Sequence, residues 1–96
     1  MDDLVDDLFE ILKAMSDETR FKIISLLLTH DYCVNALAKN LDISESAVSQ
    51  HLQILRKVGL VKGEKRGYFT HYKVDRNMLK KVAEKIIEIS SVNKAI

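Results

Sequence analysis

The stretch SESAVSQHLQILRKV, residues 44 to 58, restricts the fold more than any other part of the chain. Ala47, Val48, Leu52, Leu55 and Val58 recur at the three-and-four spacing of one helical face, with Ile54 at its edge, so that face is expected to pack inward. The opposite stripe holds Ser46, Ser49, Gln50, Gln53 and Lys57. Hydroxyls, amides and a cation on one exposed stripe are the groups that can hydrogen-bond base edges and phosphates in a major groove. Ser44 is a good N-cap and Gly59 a good C′ residue, so the helix has chemical stops at both ends.

What precedes and follows this helix extends the reading. A short helix over 34 to 40 directs Leu37 and Leu41 inward, and Asn40 to Ile43 make a tight turn in which Asn40 and Asp42 tolerate the required dihedrals. Two helices joined this way form a helix-turn-helix over 34 to 58, the second helix being the reader. After Gly59 the apolar period changes from 3.6 to 2. Leu60 to Lys65 and Tyr68 to Val74 are strand-like with Arg66 and Gly67 at the reversal, a hairpin over 60 to 74. Thr70, Tyr72 and Val74 share one face of its second strand, leaving Phe69 and His71 on the exposed one. From 56 to 73 the cations Arg56, Lys57, Lys62, Lys65, Arg66 and Lys73 accompany one acid, Glu64, a density suited to phosphate.

Three helices remain around this unit. Asp2 to Met15 is amphipathic with a wide apolar arc: Leu4, Leu8, Ile11, Leu12 and Met15, bordered by Val5 and Phe9. Ser16 and Asp17 break it and cap a core helix whose expected ridge is Phe21, Ile24, Leu27 and Leu28; Arg20, near its start, is expected to meet a carboxylate. Asp75 caps a last helix, Arg76 to Val92, with Leu79, Val82, Ile86 and Ile89 on one stripe bordered by Ala83 and Ile87. An apolar stripe beyond an already complete reading unit needs a surface to cover. The expectation is a twofold homodimer built on 1 to 15 and 76 to 92, the alternative being a last helix folded back on the domain's own core.

The chain of 96 residues has no proline and three glycines, which favours one mainly helical domain over 1 to 96 with a small core that gains from a partner subunit. The net charge of +1 hides an asymmetry: residues 1 to 48 hold four Lys/Arg against ten Asp/Glu, residues 49 to 96 eleven against four, so the halves carry −6 and +7. Such a basic half is expected where one face meets a polyanion. No membrane span or signal peptide is visible, and a single cysteine fits a reducing, cytoplasmic setting. No glycine-rich phosphate loop, paired-carboxylate motif or nucleophile with a base appears, so an enzyme is not expected, and no cofactor. A protein-interaction module on the same fold is the alternative, and acidic residues on the exposed stripe would favour it.

The order helix, helix, short helix, reading helix, hairpin, helix resembles the ArsR/SmtB family of winged-helix repressors. LKAMSDETRFKIISLLL is similar to the family's opening motif, SESAVSQHLQILRKVGLV to its reading helix, with Ser49, His51, Leu52, Leu55, Arg56, Gly59, Leu60 and Val61 in place, and GEKRGYFTHYKV to its wing. The resemblance implies a mainly α winged helix-turn-helix, α-α-α-α-β-β-α, acting as a homodimeric repressor that leaves an operator in double-stranded DNA when an effector binds. On that reading Ser46, Ser49 and Gln50 contact base edges, with Ser44 and Ala47 beside them. Gln53 and Lys57 reach bases or backbone, and Lys65 and Arg66 grip phosphate or minor groove. The effector is unknown. Where metal sensors of the family carry Cys-x-Cys, this chain has Cys33 and Asn35, and the last helix contains neither His nor Cys. Cys33 is therefore a candidate sensor or an inert thiol, and His30, Asp31 and Cys33 are only a weak metal set. His51 is expected to flank the core as a hydrogen-bonder.

Overall fold

The structure, a computed structural model, describes residues 3–95, with side chains from Asp7 onward. Five helices and three short strands follow in the order α1 (Asp3–Met15), α2 (Glu18–Leu27), β1 (Tyr32–Cys33), α3 (Val34–Leu41), α4 (Glu45–Lys57), β2 (Val61–Arg66), β3 (Phe69–Val74) and α5 (Arg76–Ser90). The expectations for Leu4 and Val5 lie outside the described side chains.

Local chemistry sets the boundaries. Asp17 accepts from the backbone N–H of Arg20, Ser44 from that of Ala47 and Asp75 from that of Met78, each satisfying one orphan donor of a first turn. Between α3 and α4 the chain turns through Asp42 at φ 54°, the left-handed conformation that a short polar side chain tolerates. Beyond α4, Gly59 takes φ 82° and donates to the Arg56 carbonyl at 3.0 Å, while Leu60 donates to Leu55 at 3.0 Å. These two bonds are a Schellman motif, and they deliver Leu60 into the core.

The core lies where α2, α3 and α4 meet the base of the hairpin: Ile23, Leu37, Val48, Leu52, Leu55 and Leu60 are almost wholly enclosed, with Ala14 of α1 and Val61 and Val74 of the strands around them. Phe21 departs from expectation. It is 56% exposed, and Ile23 takes the inward place beside Ile24 and Leu27. The α2 sequence is apolar on most of its circumference, so periodicity alone does not select which arc faces inward.

The strands form one antiparallel sheet in the order β1-β3-β2, and β1 has no counterpart among the elements expected from the sequence. Tyr32 and Cys33 pair with Tyr72 and His71, which gives β3 a neighbour on both sides. In the hairpin Arg66 still belongs to β2, opposite Phe69, so the reversal is Gly67-Tyr68 and not Arg66-Gly67. The last helix stops at Ser90, short of Val92, and Ser91 caps it.

On α1, Leu8 and Ala14 are buried whereas Phe9 and Leu12 face outward. On α5, Val82 is buried whereas Ile86, Ile87 and Ile89 are 45%, 63% and 42% exposed.

Candidate nucleic-acid interface

α4 is held by its inner face and capped at both ends, which leaves its outer stripe unencumbered. Ser46, Ser49, Gln50, Gln53 and Lys57 are all exposed, with Glu45 the one acid on the helix. Gln50, Gln53, Ile54 and Lys57 line one shallow depression on that side. Two residues of the expected contact set are otherwise engaged. Ser44 spends its Oγ on the cap, and Ala47 is half-buried at the edge of the inner face.

The helix is also braced from behind. Nη1 of Arg20 donates to Nδ1 of His51 at 3.2 Å, and Nε of Arg20 donates to the Ala14 carbonyl at 2.6 Å. The partner of Arg20 is therefore a carbonyl and a ring nitrogen, correcting the expected carboxylate ion pair. Asp17 lies 3.9 Å from the same His51 nitrogen, but its carboxylate is committed mainly to the Arg20 backbone N–H, which holds its pKa below the ordinary value. His51 flanks the core, as expected.

On the wing the expected cations differ in circumstance. Lys65 is exposed opposite Thr70. Arg66 is not free: its Nη2 lies 2.6 Å from Asp31 Oδ2 and 3.4 Å from Glu64 Oε2. The Asp31 bond first, then the Glu64 bond, holds the guanidinium pKa above its ordinary value. Glu64 also receives Lys73 at 3.3 Å, and these two cations, Lys73 first, lower its pKa. Lys62 faces Asp75 at 3.6 Å. Sequence reasoning missed Tyr68, which is 99% exposed at the tip beside Gly67. Its place in a two-residue reversal was the available signal, hidden by setting the turn one residue early.

The residues weighed as a sensor do not converge. Cys33 is a half-buried free thiol at the start of α3 that makes no capping bond, opposite His71, whose Nδ1 is buried without a hydrogen-bond partner among the described residues. His30 lies near Thr29 and Tyr32, and Asp31 is taken by Arg66. Among the described residues no three His, Cys, Asp or Glu side chains of the one chain gather as a metal set. No described helix is long and apolar enough to cross a membrane.

A buried-backed, doubly capped helix with a free polar stripe and a basic hairpin beside it is the layout of a DNA-reading domain. The profile of the bacterial regulatory proteins of the ArsR family matches residues 17–62, from the α2 cap to the start of the wing. The chain is 38% identical over 74 residues to the transcriptional activator HlyU of Vibrio cholerae, covering 77% of this chain and 68% of that protein. The chain belongs to the ArsR family. It is also 33% identical over 69 residues to the transcriptional repressor SdpR of Bacillus subtilis, covering 72% and 77% of the two chains. An ArsR-like transcriptional regulator from Rhodococcus sp. RHA1 superimposes with a TM-score of 0.84 at 32% identity, over 91% of this chain and 82% of that one. Like its relatives, this ArsR-family chain is a DNA-binding transcriptional regulator with a winged helix-turn-helix fold.

Proposed function

We propose that the chain is a cytoplasmic, dimeric repressor whose α4 reads an operator in double-stranded DNA. The observation that carries this is the outer stripe of α4: Ser46, Ser49, Gln50, Gln53 and Lys57 are exposed on a helix whose other face is locked in the core. Ser46, Ser49 and Gln50 contact base edges. Gln53 and Lys57 reach bases or backbone, and Ser44 and Ala47 bring the first turn to the groove. Lys65 and Arg66 reach phosphate or the minor groove from the wing. Nothing on this stripe favours the protein-interaction alternative.

Dimerisation rests on the apolar faces left open on α1 and α5. The radius of gyration is 15.3 Å and the molecule is 58 Å long, against about 12 Å for a compact chain of this length. Phe9, Leu12, Ile86, Ile87 and Ile89 lie outside the core of the single chain. A twofold axis through these helices sets two reading helices against two half-sites. Repression is the reading that the family resemblance implies; among the relatives SdpR is named a repressor and HlyU an activator. Cys33 remains the candidate sensor.

The test is fluorescence anisotropy of a labelled duplex from the region upstream of the gene, with a scrambled duplex as competitor, followed by transcription in vitro from the same promoter. Preferential binding by at least about a thousandfold together with reduced transcript supports the reading. Equal binding to both duplexes, with no sequence enriched in a genome-wide selection, overturns it, and increased transcript overturns repression alone.

A further inference from the structure

Arg66 occupies the last position of β2, beside the wing tip. Its guanidinium is nevertheless turned back toward the protein. Asp31 comes from the segment between α2 and β1, 35 positions earlier, and takes Nη2 at 2.6 Å, while Glu64 approaches the same nitrogen at 3.4 Å. Sheet order explains the reach. Because β1 lies on the far side of β3 from β2, the bond spans the width of the sheet, and the Tyr32–Tyr72 register sets Asp31 at its edge. Lys65, one residue earlier on the same strand, makes no ion pair with an acid among the described residues.

We infer that Asp31 is an affinity-determining residue for DNA binding: it is an internal counter-anion that competes with a DNA phosphate for Arg66. A phosphate oxygen can take the charge-assisted bond that Asp31 Oδ2 now takes from Nη2, so the two anions compete for one donor group. Side chains 44% and 33% exposed exchange partners easily, because water and salt already screen the pair. When DNA takes Arg66, Asp31 is left as an unpaired negative charge next to a phosphate, which opposes the complex. A role in propping the wing would have the opposite sign, since loss of the prop would weaken binding.

This inference rests on the DNA-binding reading, and the experiment separates the two. Wild type, Asp31→Asn, Arg66→Ala and the double variant are titrated onto a fluorescein-labelled duplex of mixed sequence over a potassium chloride series, with thermal unfolding measured in parallel. Asp31→Asn keeps the size and shape of the side chain, and Asp31→Ser serves as a second variant should it unfold. The expected result is binding about two- to fivefold tighter in Asp31→Asn, a salt slope steeper by about one, and loss of both effects in the Arg66→Ala background. Unchanged or weaker binding by Asp31→Asn overturns the inference, as does a gain that persists without Arg66. If wild type binds neither this duplex nor any selected sequence at low salt, the DNA reading itself fails and the inference falls with it.

Discussion

Nη1 of Arg20 on α2 lies 3.2 Å from Nδ1 of His51 on α4, and the same guanidinium holds the Ala14 carbonyl at the end of α1. Because arginine can only donate, His51 Nδ1 is the acceptor of this bond. One side chain thus ties three helices together behind the reading stripe. Arg20→Ala is expected to lower unfolding free energy by about 1–3 kcal/mol, the range for charge-assisted hydrogen bonds, and Arg20→Lys to recover less than half of that because an ammonium lacks the fork. Urea denaturation followed by circular dichroism measures both; a Lys variant as stable as wild type would remove the geometric role.

Base reading and phosphate contact separate by their dependence on sequence. Gln50→Ala is expected to cost about 1–3 kcal/mol of discrimination between operator and scrambled duplex. Lys65→Ala is expected to weaken both duplexes alike and to reduce the salt slope by about one. Anisotropy titrations at several salt concentrations report each effect, and equal losses on both duplexes by Gln50→Ala would take that residue out of the reading set.

The open face of α5 gives an association prediction. Ile86→Glu combined with Ile89→Glu places two charges where apolar side chains are already exposed, so the single chain should keep its helical content. In sedimentation the variant is expected as a monomer and the wild type as a dimer, with operator affinity lower by about tenfold or more in the variant because two half-sites are no longer joined. A variant that still sediments as a dimer would move the interface elsewhere.

Two glycines with positive φ should respond differently to a methyl group. At Gly59, φ 82°, an added Cβ would meet Met78 Cε at 3.2 Å, whereas at Gly67, φ 65°, nothing lies within 4 Å. Gly59→Ala therefore combines left-handed strain of about 1–2 kcal/mol with a tight contact and should destabilise more than Gly67→Ala. Denaturation midpoints of the two variants decide the order.

Acid should loosen the helix starts and the wing. The pKa values of Asp17 and Asp75 are lowered from 3.8, chiefly by the backbone N–H groups of Arg20 and Met78, and that of Glu64 from 4.5, chiefly by Lys73 and then Arg66. A depressed carboxylate stabilises the fold fully above its unfolded pKa, and the contribution is lost as pH falls through the lower folded value. Stability is thus expected to be insensitive to these groups above about pH 5 and to decline below about pH 4. The decline should be shallower in Asp17→Asn, which thermal melts across the acid range would show.

What the sequence determined by itself is what neighbouring residues decide. The Ser44 and Asp75 caps, the Gly59 stop, the α4 face and the change of period after Gly59 each rest on residues within a turn or two of one another along the chain, where hydrogen-bonding groups and apolar spacing act directly. The polar stripe of α4 and the basic wing were legible for the same reason. Tertiary structure decided the remainder. β1 is two residues long and carries no period, existing only because β3 has an open edge beside it. The turn from Phe21 to Ile23 as the buried residue depends on which arc of an apolar helix the other elements cover. The partners of Arg20 and Arg66 come from other elements, 31 and 35 positions away in the His51 and Asp31 bonds, a separation that no local pattern encodes. Long, flexible cations take whichever acceptor the packed fold brings within reach.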